Sequence, residues 1–438
     1  CVAAWVAGPA GEGGWCWPGK PTRRPGPALA GVGALLLCLG LAPVVGRLPA
    51  ALGALLLVVS PYVAHYQRLF IHEPFLVFWG LAFVCAGAHW LRRADGWRAL
   101  VAGLCAGAML ATRETGALFL LSWFGLGWPL FAARIPLRAL ARALALALPS
   151  ALLVVAASYS NGFADPGGPL RFAQTYFEYE TTPGHGKPWG YYWSLLFAPH
   201  SHGRLFWWEG VSVLPALVVA AVCGAQWVRR SRAVRGPLPL GVGFALFLLL
   251  SGLLQLALFS FISYKTPWLA LLPWVQILAG SGMLAGALWP RAWPARAALV
   301  CAVGGLTVFQ VHSQLQSRRF ASDQRNPYAY VPTAPDVERW CGRVVALRQN
   351  ERVTGPVAVA GSAYWPIPWY LRTLDRVGYW PELPAGAAEF PVVVCMPECM
   401  EQGVERLART HRQLPHGLRV DTPVLVFIRD DLWPLYIR

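Results

Sequence analysis

Residues 238–262 read Leu238-Pro-Leu-Gly-Val-Gly-Phe-Ala-Leu-Phe-Leu-Leu-Leu-Ser-Gly-Leu-Leu-Gln-Leu-Ala-Leu-Phe-Ser-Phe-Ile262, a run without one formal charge. A helix needs about 20 consecutive apolar residues to cross the hydrocarbon core of a bilayer, and core strands or helices of soluble domains are shorter. The run is therefore a membrane helix. Working outward in both directions with the same window gives further candidates at 28–46, 48–64, 73–91, 98–112, 115–132, 138–160, 210–228, 267–289 and 293–311. The expected architecture is thus a multi-pass α-helical membrane protein with about ten transmembrane helices, of which the second, fourth and fifth are short or interrupted by Gly and Pro.

Composition agrees. The 438 residues are 56% hydrophobic and only 13% charged, with mean hydropathy +0.44, whereas soluble domains carry about 25% charged residues. A soluble enzyme and a disordered chain are both excluded. The net charge of +16 would suggest nucleic acid in a soluble protein; here the placement of the charges matters instead, and no nucleic-acid partner is expected. Of the ten cysteines, Cys38, Cys85, Cys105, Cys223 and Cys301 lie inside apolar runs and act there as small hydrophobes. Cys395 and Cys399 form a close pair whose spacing matches no common zinc or redox motif.

Orientation follows from Lys and Arg in short loops, which stay cytoplasmic. One set of connections holds Arg47, Arg92, Arg93, Arg98, Arg134, Arg138, Arg229, Arg230, Arg232, Arg235, Arg291 and Arg296. The alternate set holds Arg68, Arg113 and Lys265, together with a long insert at 161–208 of mixed charge. The second set is expected outside, which also puts residues 1–27 and the 312–438 tail outside. An outer N-terminal remnant has no upstream helix to carry it across, so the chain reads as a fragment lacking at least one; a lipoprotein beginning at Cys1 is the alternative.

From 312 charges become frequent and a small extracytoplasmic α/β domain is expected. Strands are expected at Pro356–Ala360, Pro391–Cys395 and Pro423–Ile428, with helices at about 336–349 and 399–411. Thr333 is expected to cap the first of these helices, with Asp336 three residues on. The stretch Tyr364-Trp-Pro-Ile-Pro-Trp-Tyr370 either lines an outer groove or packs the domain down.

Ionisable residues at the ends of membrane helices are costly and draw attention to function. Three outer turns carry them. In Ser60-Pro through Arg68 to His72-Glu73-Pro, Glu73 begins a helix, where its charge is favoured by the dipole. In Thr112-Arg113-Glu114-Thr115 a cation and an anion stand side by side, tolerable in burial only with partners. In Tyr264-Lys265-Thr-Pro-Trp268 a cation precedes a helix-starting proline. Only three of the 37 basic residues are lysines, and Lys187 and Lys265 both lie on the outer side near a Pro-Trp pair. A point charge on a flexible stem suits a phosphate that moves during reaction. The insert adds Glu178, Glu180, His185, Trp189, Tyr191, His200, His202 and Glu209 among aromatics. Carbohydrate sites pair aromatic faces with acidic acceptors, and His with carboxylates can hold a divalent metal, although His200-x-His202 is not a helical metal spacing.

Taken in order, these turns, with Asn326-Pro-Tyr-Ala-Tyr-Val-Pro-Thr333, Trp365-Pro-Ile-Pro-Trp-Tyr-Leu-Arg372 and Val377-Gly-Tyr-Trp380 in the tail, resemble the flippase-activity-associated membrane proteins of archaeal-type N-glycosylation loci. These are similar to the protein mannosyltransferases and lipid A aminoarabinose transferases of the GT-C superfamily. The resemblance covers about residues 45–435. It implies a glycosyltransferase that takes sugar from a polyprenyl-phosphate lipid on the outer face of the cell membrane, with inversion, and that works beside other glycosylation proteins. On that likeness Glu73 and Glu114 are the candidate catalytic acids, and Arg68, His72, Arg113, His185, Lys187, Trp189, Tyr191, Glu209, Lys265 and Trp268 the candidate substrate-binding residues. The first-loop acidic pair of the family is missing; the only acid before residue 28 is Glu12, in a Gly/Trp-rich context unlike the motif. A divalent metal is the one cofactor the pattern allows. Two other classes stay open: a non-catalytic accessory of a glycan-assembly or flipping complex, and a transporter, for which mid-membrane polar residues and an inverted repeat are the expected marks.

Overall fold

The computed structural model describes residues 25–175, 186–217, 238–350, 353–419 and 421–437. The chain divides into two compact units between Arg319 and Phe320.

The first unit is helical. In chain order it contains α1 (Pro25–Gly40), α2 (Arg47–Val59), the short α3 (Pro61–Tyr66), α4 (Glu73–Arg92), α5 (Gly96–Thr112), α6 (Gly116–Phe131), α7 (Leu137–Tyr159), α8 (Tyr191–Phe197), α9 (Leu240–Phe261), α10 (Leu271–Ala287) and α11 (Trp293–Arg319). Seven helices among the described residues are long and apolar enough to cross a membrane, while α2 and α5 are apolar but shorter. The expected spans fall on these helices, except that α11 runs on to Arg319 and most of 210–228 lies outside the described residues. A small antiparallel ribbon, β1 (His200–His202) with β2 (Leu205–Trp207), stands in the long insert.

The centre of this unit is α10, buried from Leu271 to Leu284 without a break. Lipid offers no hydrophobic incentive for helices to associate, so packing depends on close backbone approach at small residues. A Cβ on Gly282 would stand 2.5 Å from the carbonyl of Leu52 in α2, and one on Gly252 of α9 would stand 2.5 Å from that of Pro273. One polar chain crosses the interior. Trp123 Nε1 donates to Gln276 Oε1 at 2.6 Å, the Gln276 amide donates to Gln255 Oε1, and Gln255 Nε2 donates to Ser122 Oγ at 2.7 Å. It is uncharged, and each link is made, which is what burial of polar groups requires. In contrast α7 leaves Leu144, Leu148, Leu152 and Leu153 exposed, as a lipid-facing helix would.

The second unit is a five-stranded sheet in the order β4-β3-β5-β7-β6, where β3 is Val357–Ala360, β4 Val377–Trp380, β5 Val392–Cys395, β6 His411–Arg419 and β7 Thr422–Arg429. Strands β4, β3 and β5 are parallel, and β7 pairs antiparallel with β5 and β6. Side chains alternate across the strands. Val357, Val359, Val392 and Val394 face α12 (Val337–Arg348) with its Trp340 and Val344, while Ala358, Val393 and Phe427 face α13 (Met400–Leu407) through Leu407. Strands β4 and β6 were not expected, and the second helix stops at Leu407 because His411 onward joins the sheet. The expected cap is also corrected. Thr333 bridges to Arg419, and Asp336, at the cap position, gives its carboxylate to His416 Nδ1 at 2.6 Å, with no side-chain cap on the helix.

Candidate active site at the helix ends

The site begins at Ser60-Pro61. Ser60 ends α2 in extended conformation and starts α3, and the free amides of α3's first turn are accounted for one by one. Pro61 has none; the Val63 amide donates to Ser60 Oγ at 3.1 Å, and the Ala64 amide to the Ser60 carbonyl at 3.0 Å. The Tyr62 amide donates to the carboxylate of Glu209, 147 residues away. Glu209 is 1% exposed and also accepts from Ser60 Oγ at 2.9 Å and Trp274 Nε1 at 3.2 Å. Burial pushes its pKa up to about 7 against these hydrogen bonds, which pull it down. Glu209 is therefore a buried anchor that fixes α3 to α10, and its carboxylate meets protein donors on each side.

With α3 fixed, Tyr62 donates its hydroxyl to the Pro267 carbonyl, and Tyr66 meets Trp268 edge to face with ring centroids 6.4 Å apart. The segment 262–268, after α9, is held from a second side. Gly186 bridges Tyr264, Tyr192 donates to the Thr266 carbonyl at 3.2 Å, and Lys265 Nζ donates to the carbonyls of Lys187 at 3.1 Å and Ile262 at 2.5 Å. Lys265 is 2% exposed. Burial holds its pKa below the usual lysine range, and among the described residues no carboxylate pairs with it. Two of its three N–H donors are used. The hydroxyl of the adjacent Thr266 is fully buried and has no partner among the described residues.

Glu73 opens α4, is 3% exposed, and forms an ion pair with Arg113, which follows α5. The pair joins the start of α4 to the end of α5, 40 residues apart. Burial holds the His72 pKa low, with the Arg113 charge acting in the same sense and Glu114 in the opposite one, and the Arg113 charge also reaches Tyr192. Glu73 and Arg113 thus join two helix ends, and Lys187 and Lys265 meet in the segments that Tyr192 ties at Thr266, within reach of the Arg113 charge.

The others spread outward. Glu114 and His72 are exposed beside the Arg113 turn, and Tyr191 is half-buried beside Tyr192 at 5.2 Å between ring centroids. Trp189 is half exposed, stacks on Trp193 and meets Phe261 edge-on. Arg68 donates to the Ala64 carbonyl at 2.9 Å and has Arg318 as a charged neighbour. His185, with Glu178 and Glu180, lies outside the described residues. His200 is tied to the Leu195 carbonyl at 3.0 Å, and no three His, Cys, Asp or Glu side chains gather as a metal would need among the described residues. Tyr62, Tyr192, Thr266 and Trp274 were missed by sequence reasoning, since aromatic and hydroxyl residues in apolar runs carry no signal of their own; Ser60-Pro61 was a readable helix start.

No protein-family profile and no curated protein matches the chain by sequence. Solved structures of ArnT are among those that share its fold. ArnT from Cupriavidus metallidurans in the apo state aligns over 92% of this chain and 83% of its own, at 14% identity and a TM-score of 0.58. ArnT from the same organism bound to undecaprenyl phosphate aligns over 93% and 84%, at 15% identity and a TM-score of 0.52. With its multi-pass helical unit and small C-terminal sheet, the chain has a GT-C-type fold.

Proposed function

We propose that the protein is a membrane glycosyltransferase that moves a sugar from a polyprenyl-phosphate-linked donor to an acceptor at the extracytoplasmic end of its helices. The observation that carries this reading is the gathering of Glu73, Arg113 and Lys265 at connected helix ends, with Lys265 buried and lacking a carboxylate partner among the described residues. Such a cation is suited to an anionic ligand such as a phosphate. The fold adds support, because ArnT with the same fold has been captured with undecaprenyl phosphate.

In the proposed reaction an acceptor oxygen attacks the anomeric carbon while the bond from that carbon to the phosphate oxygen breaks, and the electron pair leaves with the lipid phosphate. The acceptor proton passes to a base. Arg113 and Lys265 stabilise the charge that develops on the leaving phosphate. Glu73 holds Arg113 in place, and Glu114, exposed on the same turn, is the candidate base. Trp189 and Tyr191 offer aromatic faces to the sugar. A non-catalytic accessory role is the second reading, favoured by one observation: the buried carboxylates at the site, Glu73 and Glu209, are already committed to protein partners.

The test is release of polyprenyl phosphate from labelled donors by the full chain, compared with Glu73→Gln and Lys265→Met. Loss of about 10² to 10³ in turnover in Lys265→Met is the expected result for a lost phosphate partner. Equal turnover in all three proteins removes these residues from the chemistry. No release from any sugar donor by the full chain selects the accessory reading.

A further inference from the structure

At the opposite, arginine-rich end of the membrane unit, a groove of about 340 Å³ opens between α1, α4 and α5. Its level is fixed by one hydrogen bond: His89 near the end of α4 meets the carbonyl of Gly40, the last residue of α1, at 2.9 Å. The two helices therefore finish together, and α5 starts beside them after a three-residue turn, 93–95. The floor is apolar, made by Leu37 of α1, Ala82 and Ala86 of α4, and Val101 of α5. Ala82 and Ala86 are one turn apart on one helix face, and their short side chains leave the space unfilled. Trp97 stands at the rim, 61% exposed, as amphipathic rings do at the headgroup level.

The rim is also charged. Arg98 lines the groove with its guanidinium 4.8 Å from the Trp97 ring centroid, forms an ion pair with Asp95 and donates to the Arg93 carbonyl at 3.4 Å. That network spends Arg98 and the local acid on each other and ties Arg93 to the groove. Arg92 and Arg93 are exposed, and among the described residues neither has a carboxylate partner. An apolar trough with His89, Trp97 and Arg98 at its rim, and with the uncompensated Arg92 and Arg93 following His89 by three and four residues, has the chemistry of a phospholipid seat: hydrocarbon below, phosphate above. A neutral lipid would fill the trough equally well. The unpaired arginines select for charge.

We propose that this groove holds one acyl chain of an anionic phospholipid from the surrounding leaflet, with its phosphate against Arg92 and Arg93. The occupant is a bilayer lipid of the phosphatidylglycerol type. The positive-inside pattern puts that leaflet on the cytoplasmic side, far from the candidate active site. The inference stands whether or not the protein is a transferase.

Native mass spectrometry of the delipidated full chain, titrated with phosphatidylglycerol, phosphatidylcholine or glycerol phosphate, tests it. The wild-type chain is expected to retain one phosphatidylglycerol about thirtyfold above phosphatidylcholine, the size of two surface arginines acting on one phosphate. Arg92→Gln with Arg93→Gln, both solvent-facing, is expected to equalise the two lipids. Ala86→Leu is expected to lower retention of both by filling the trough. Equal retention of the two lipids by wild type, or none, overturns the proposal. So does a double variant that keeps its preference, an Ala86→Leu chain that binds as wild type, or displacement of the lipid by glycerol phosphate alone, which would make the site one for a soluble phosphate.

Discussion

Removing the carboxylate of Glu209 should unfasten the candidate site from below. In Glu209→Ala the Tyr62 amide and Trp274 Nε1 lose their acceptor in a place where water does not reach. Ser60 Oγ can rotate, and it keeps the Val63 amide as a partner, so its loss counts for little. Two fixed, buried donors left unsatisfied cost about 1–3 kcal/mol each, or about 2–6 kcal/mol together. The cost falls first on α3, whose entry amide is freed, and then on the Pro267 carbonyl that Tyr62 holds. Hydrogen exchange read by mass spectrometry should therefore show peptides spanning 61–67 and 262–268 exchanging at least about thirtyfold faster, the factor equivalent to the lower end of that range. Peptides from 320–438 serve as the internal control and should not change. Unaltered exchange at 61–67 in the variant would refute the reasoning, since it would mean that α3 does not depend on this anchor.

The ion pair between Glu73 and Arg113 admits a swap. Breaking it in Glu73→Gln should cost about 3 kcal/mol or more in thermal or denaturant unfolding; Glu73→Arg combined with Arg113→Glu should recover part of that stability while donor turnover stays lost, and recovery of turnover would remove the fixed geometry from the reading. A pH dependence follows from Glu209, whose pKa is raised by burial from 4.5 to about 7. Between those values the native state binds more protons than the unfolded chain, so stability declines as pH rises from about 4.5 to 7, by about 3 kcal/mol if the whole shift is expressed; Glu209→Gln should flatten that slope in unfolding measured at pH 5 and pH 8. In the second unit Gly361 has φ of +113°, and a Cβ there would lie 2.4 Å from Cβ of Met396. Gly361→Val should destabilise that unit by about 1–3 kcal/mol or more through backbone strain and overlap, seen as a lower unfolding midpoint.

The membrane helices were legible because the signal is local: about 20 apolar residues in a row announce a span wherever it packs. Strand β6 was not, because His411-Arg-Gln-Leu-Pro-His-Gly-Leu-Arg419 carries charges and a proline, which an edge strand tolerates and a sequence window penalises. Strand β4 is the opposite edge and only four residues long. The turns that carry Glu73, Arg113 and Lys265 were found from charge alone, but which acid meets which base was not, since Glu73 and Arg113 are 40 residues apart. Glu209 shows the limit most clearly. A carboxylate beside an aromatic-rich insert looks like a sugar ligand, and only the folded positions of Ser60, Tyr62 and Trp274 turn it into a buried anchor.

The two acids and two cations of the site then separate by what they have left to offer. Glu209 spends its carboxylate on three protein donors, and Glu73 spends its own on Arg113. Lys265 is different. Its side chain is covered from solvent, yet its described partners are backbone carbonyls, which stabilise an ammonium by dipole without cancelling its charge. A charge kept inside a protein with dipoles alone is expensive unless something anionic arrives to complete the pair. The fold invests in this arrangement from three directions, through Lys187, Ile262 and the Tyr192 contact with Thr266. A bound anion would offset that cost, which is why the proposed function rests on Lys265 more than on either carboxylate.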